Sequence, residues 1–202
     1  MADAEKVMNI STGDIEKIMN IAYSDIEKLT GISLPAQTPG YTGQRFICFG
    51  SGTTTSADWG NVIDYKASTS NGNASDFGDM SEAMSMGSAA AGGGRAVHAG
   101  GQKSPDWTTG RNNIEYVTVS STGNTTDAGD LTVARSEGPA GAGNGTRAIW
   151  ADGYSSGNTN VMDYAAISST SGASDFGDLN NSTGLGNGSG SLTRFLHSGG
   201  TD

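Results

Sequence analysis

The most regularly spaced carboxylates in the chain sit in three near-copies of one phrase: GNASDFGDM at 72–80, GNTTDAGDL at 123–131 and SGASDFGDL at 171–179. Each copy sets two aspartates three residues apart around a glycine: Asp76 with Asp79, Asp127 with Asp130, and Asp175 with Asp178. Three kinds of chemistry use carboxylates in this way. Oxygen-rich turns bind calcium, but the ligand series of a known calcium loop is missing here. Paired carboxylates also cleave glycosidic bonds, but an active site occurs once, whereas these pairs recur in every unit. The remaining use is architectural. An aspartate accepts a hydrogen bond from a nearby backbone amide, beside a glycine that supplies positive φ where the chain must reverse. The second aspartates, Asp79, Asp130 and Asp178, are also candidates for bidentate pairing across units with a repeated arginine, Arg45, Arg95, Arg147 or Arg194.

The other reactive residue types offer less. His98 and His197 stand at matching places ahead of a Gly-Gly, and Trp150 holds that place between them, with Cys48 or Phe49 in the first unit. A position that takes Trp and His alike is a packing position, because metal geometry does not survive the exchange. No Ser-His-Asp or Cys-His set can be drawn from repeat-equivalent residues. The GNGSG at 186–190 lacks the strand–turn–helix setting of a nucleophile elbow. The expectation is therefore a protein that is not an enzyme, with no catalytic, cofactor-binding or metal-binding residue. A polysaccharide depolymerase on a propeller is the enzymatic rival.

Composition sets the frame for these phrases. Of 202 residues only 34% are apolar and 32 are glycine, which is poor material for one large core and better suited to repeated small ones. Periodic return of the same aromatic and apolar residues argues for structure over disorder. The net charge of −10, with no Lys/Arg cluster, excludes a nucleic-acid surface and disfavours anionic lipid. Cys48 stands alone, so an intrachain disulfide framework is excluded. No apolar run is long enough to span a bilayer, and MADAEKVMNI lacks the core of a secretion signal.

The chain divides into two grammars. Residues 1–34 repeat EKVMNI, EKIMNI and EKLTGI at eleven-residue intervals, with Ile15, Ile18, Met19, Ala22, Ile26 and Leu29 on one helical face. Short helices are expected there, with a single eleven-residue-period helix as the competing picture. So small an apolar stripe must pack on the next domain, a sister chain or a larger assembly. Residues 35–44, with Pro35 and Pro39, read as a linker. Residues 45–202 repeat an arginine followed by an apolar run (RFICFGSG, RAVHAGG, RAIWADG, RFLHSGG), then a tyrosine strand (NVIDYKAS, NNIEYVTVS, NVMDYAAIS), then the aspartate phrase. A small-residue stretch such as GSAAAGGG closes each unit, which gives units at 45–94, 95–146 and 147–193 and a partial one at 194–202. Alternation puts Ile63 with Tyr65, Ile114 with Tyr116, and Met162 with Tyr164 on one strand face. Phe77, Phe176 and, more weakly, Ala128 are the expected apolar pegs between units. Four short strands in forty to fifty residues is the size of a propeller blade.

These residues resemble kelch-type repeats, and most closely the kelch-like repeats of structural proteins in tailed phages of marine bacteria, which carry phrases of the form N-hydrophobic-D-Y…STGNATDFGDL…R…GG. The Asp-Ile-Glu-Lys-Ile-Met segment is similar to short N-terminal motifs of phage virion proteins. The chain departs from kelch in lacking its third-strand tryptophan, where Phe77, Ala128 and Phe176 stand. Three units and one strand also fall short of four blades. The resemblance implies a mainly β fold of kelch-like four-stranded blades, a partial or oligomer-completed propeller, behind a short helical N-terminal segment. It implies a virion protein made in the host cytoplasm: a tail-fibre or baseplate adhesin, with a capsid decoration or head fibre as the alternative. Its expected partners are other virion proteins through residues 1–34, further copies of itself, and a host surface glycan or protein. Trp59, Trp107 and Tyr154, set among small polar residues, are the candidate surface contacts.

Overall fold

The computed structural model describes residues 45–51, 60–103 and 109–201. The helices expected over 1–34, the linker at 35–44, and both Trp59 and Trp107 lie outside the described residues. Within them there are strands and no helix, so the fold is mainly β. The strands are β1 Arg45–Ser51, β2 Val62–Ala67, β3 Ser75–Asp79, β4 Met84–Ser85, β5 Ser88–Gly92, β6 Arg95–Ala99 and β7 Gln102–Lys103. They continue with β8 Arg111–Thr118, β9 Thr126–Arg135, β10 Ala140–Gly143, β11 Arg147–Ala151, β12 Thr159–Ala166, β13 Ser174–Gly190 and β14 Phe195–Thr201.

Consecutive strands pair into antiparallel meanders. The first sheet is β1-β2-β3, the second β5-β6-β8-β9, and the third β10-β11-β12-β13-β14, with β4 and β7 forming a separate pair. Small-residue strands join the arginine strand that follows them: Gly92 lies opposite Arg95, and Gly143 opposite Ala148. In the third sheet the long β13 pairs with β12 through its first part and with β14 through its last. That last part lies back on β10, so the sheet is nearly closed and barrel-like.

One register serves all three sheets. Ile47 faces Tyr65, Val97 faces Tyr116, and Ile149 faces Tyr164. Strand alternation then gives each sheet a forward face carrying the tyrosine and a rear face opposite it. The forward residues Ile63 and Phe77 of the first sheet, with Met80 just after β3 and Met84 of β4, bury against Ala96, Val117 and Val119 at the rear of the second. The forward residues Val97, Ile114, Ala128 and Leu131 of the second bury against Ala148, Trp150, Ala165 and Ile167 of the third. The middle sheet is thus a layer covered on both faces.

Glycine sets the spacing of the layers where the small-residue strands stack. A Cβ on Gly141 would strike Ser88, one on Gly188 would strike the backbone of Gly141, and one on Gly190 that of Gly143. No larger side chain fits between these strands.

The aspartate phrase does not turn the chain, as the sequence suggested. It is a bulged strand. Asp64 faces Asp76 but Ile63 faces Gly78, which leaves Phe77 as the extra residue. The same slip separates Glu115–Asp127 from Asn113–Asp130, and Asp163–Asp175 from Met162–Gly177. A bulge needs one residue in unusual backbone space, and the glycines supply it with φ of 147°, 91° and 102° at Gly78, Gly129 and Gly177. The first aspartate holds the bulge by accepting the amide two residues on, at 3.2 Å for Asp76–Gly78, 2.9 Å for Asp127–Gly129 and 2.8 Å for Asp175–Gly177. Here the aspartate–amide reading of the sequence is correct, and the chain reversal is not.

Candidate functional site

The bulges bring together the residues that the repeat singles out, and they do so at the seams between layers. Gly123 N donates to Phe77 O at 2.7 Å and Thr125 N to Asp79 O at 2.9 Å. One layer on, Gly172 N donates to Ala128 O at 3.0 Å and Ala173 N to Asp130 O at 2.8 Å. The first two phrases are therefore rails whose carbonyls receive the loop of the next unit. Gly78 and Gly129 have a second duty, since a Cβ on either would collide with the backbone of Gly123 or Gly172.

The repeated arginines serve the same seams. Arg45, Arg95 and Arg147 lie over Tyr65, Tyr116 and Tyr164, with the guanidinium carbon 4.6, 3.9 and 5.0 Å from the ring centres. Arg45 donates to Val119 O at 3.0 Å and Arg95 to Ile167 O at 3.4 Å, each reaching the following layer. Among the described residues Arg95, Arg147 and Arg194 form no ion pair with Asp130 or Asp178. Arg95 and Arg147 instead lie over a tyrosine face in their own sheet.

Among the described residues, no following layer covers the tyrosine strand of the third copy. Phe176 is 43% exposed, against 2% for Phe77, so it is no peg between units as the sequence suggested. A Cβ on Gly177 would meet nothing. Leu192 and Leu196 are exposed nearby, and Arg147, Phe176, Leu192 and Arg194 line one groove. Tyr154 is 39% exposed, while its backbone exchanges two 2.9 Å hydrogen bonds with Ser136.

Sequence reasoning missed a buried ionic cluster between the second and third sheets. Arg135 and Asp163, both fully buried, form an ion pair. Thr132 also donates to Asp163, and Arg135 reaches the carbonyls of Asp152 at 3.1 Å and Val161 at 3.0 Å. Burial pushes the Asp163 carboxyl above its ordinary range, against the pull of Thr132 and Arg135. Asp152 is buried too, with its carboxylate accepting from Ala140 N at 2.8 Å and Gly186 N at 2.9 Å and meeting His197 Nε2 at 2.8 Å. A signal was present: Arg135 is the only arginine within ten residues after a phrase, and an acidic residue precedes every repeat tyrosine.

At the histidine position His98 and Trp150 are packed as the sequence suggested, whereas His197 meets the Asp152 carboxylate at 2.8 Å. His98 is buried beside Phe49, at 5.3 Å between rings, and burial pushes its pKa down to about 4. Trp150 is fully buried and donates Nε1–H to Ser88 O at 3.3 Å. Among the described residues no group of three or more His, Cys, Asp or Glu side chains is placed to hold a metal ion. No protein-family model matches the chain, and no curated protein matches it significantly.

Proposed function

We propose that this chain is a non-enzymatic virion component, a tail-fibre or baseplate adhesin that displays stacked kelch-like β layers from its N-terminal segment. The observation that carries the reading is the seam. The same bulge, arginine and glycine recur in all three units and join layers in the first two, which makes a stiff and extendable support. Repeat residues used in this way are invested in display and contact. The exposed Phe176 and Leu192 line one groove with Ile149 and Phe195 at the last described layer, an apolar surface of the sort that marks an interface. Tyr154 offers an aromatic contact at the layer edge.

Residues 1–34 serve as the anchor to other virion proteins, and further copies of the chain complete the assembly. The test is direct. Antibody against the purified chain should decorate tails in negative-stain micrographs of the phage that carries it, and the chain should be abundant in purified particles. Decoration of heads alone would move the assignment to capsid decoration. Absence from particles would end it.

A further inference from the structure

The cleft between the segment that follows β3 and the second sheet contains two buried groups that the protein leaves unsatisfied. Glu115 is 3% exposed, and its Oε2 has no hydrogen-bond partner. Arg111 Nε, in the same cleft, also has none. Burying an unpaired polar atom is costly, and more so when it is charged. The neighbouring seam shows how the fold solves this problem when it can. Asp163, which matches Glu115, is satisfied by Thr132 and Arg135. The residues fifty-one positions before those two are Ser81 and Met84, and methionine cannot donate.

The chemistry of the two orphan groups restricts what can fill the cleft. A metal cation would satisfy Glu115 and repel Arg111. An anion would do the reverse. Hydroxyl groups suit both, because a hydroxyl can accept from Arg111 Nε–H and a hydroxyl can donate to Glu115 Oε2. Beside them Asn113, Thr125 and Asp127 line the same cleft and suit a second, adjacent hydroxyl. Glu82 is held by Lys103 at 2.8 Å and by Arg111, which steadies the guanidinium. The cleft offers about 300 Å³, the lower end for a small-ligand site.

We propose that this cleft binds a sugar residue through adjacent hydroxyls, with Arg111 and Glu115 as the central pair and Asn113, Thr125 and Asp127 around them. The proposal narrows the adhesin reading to one ligand class and rests on that reading only for where the sugar comes from.

The test is saturation-transfer NMR on the full chain with the methyl glycosides of glucose, galactose, mannose and N-acetylglucosamine as separate probes. At least one glycoside should receive saturation, with a dissociation constant on the order of 1 mM. Glu115→Gln and Thr125→Val should each weaken binding by about tenfold or more, the size of one lost hydrogen bond to a charged or buried group. Phe176→Ala, remote from the cleft, should leave it unchanged. Thr125 is only partly buried, so its variant keeps the test sound if Glu115→Gln folds poorly. No transfer to any glycoside, or equal transfer to wild type and both cleft variants, overturns the proposal. Whole-cell attachment separates the two readings. A chain that binds host cells but no glycoside refutes the cleft and spares the adhesin, whereas a glycoside-binding chain that is absent from particles does the opposite.

Discussion

The first two sheets and the third present the same forward face to different surroundings. Ile63, Tyr65 and Phe77 meet the second sheet, and Ile114, Tyr116 and Ala128 meet the third, whereas Tyr164 and Phe176 meet no further tyrosine strand among the described residues. The bulge, the aspartate–amide bond and the arginine over tyrosine are intact in all three. The local motif therefore forms without the seam, and the seam's contribution can be measured by making the same change in covered and open copies.

The largest contrast is expected at Arg135. Arg135→Met leaves the buried Asp163 carboxylate without its cation and should cost about 3–5 kcal/mol in urea unfolding. Thr183→Val, at the matching place in the third unit, should cost below about 1 kcal/mol. Equal losses would show that the ion pair adds nothing to the second seam. Phe77→Ala should cost about 3–4 kcal/mol and Phe176→Ala below about 1, because only the first leaves a cavity. If the two are alike, the third face is covered in solution, and the urea midpoint would report it.

Acid should single out His98. Its folded pKa of about 4 lies below the ordinary 6.5, so the unfolded chain takes up a proton that the folded chain refuses. Stability is then full above pH 6.5, falls as pH drops from there to about 4, and levels off below, by about 3 kcal/mol in all. His98→Phe should flatten that part of the profile, and an unchanged slope would refute burial as its cause. The smallest contrast concerns the bulge glycines. Gly129→Ala must strain φ and push on Gly172, for about 2 kcal/mol or more, while Gly177→Ala carries only the strain, about 1 kcal/mol.

Much of this fold was legible in the sequence because the repeat records register. The spacing of Arg, Tyr and the phrase placed β1, β2 and β3 and their copies, and alternation sorted Ile63 and Tyr65 onto one face. What the sequence hid was the direction of hydrogen bonds. An aspartate beside a glycine looks the same in a turn and in a bulge, since both need an accepted amide and a positive φ. The partners of the arginines were also hidden, because a guanidinium is served as well by a tyrosine face and a carbonyl as by a carboxylate. The Glu115 cleft was illegible for a different reason. It arises where the repeat is broken, at Met84 in place of arginine, and only coordinates show what a substitution leaves unfilled.

The close glycine stack of β5, β10 and β13 has an evolutionary consequence. Every unit brings a small-residue strand to the stack, so coding sequence duplicated in whole units would keep the spacing of the layers. The joints are not interchangeable: loss of the middle unit would set Met84, in place of Arg135, against the buried Asp163 carboxylate. Length in such a molecule therefore grows by copying a unit more readily than it shrinks by losing one.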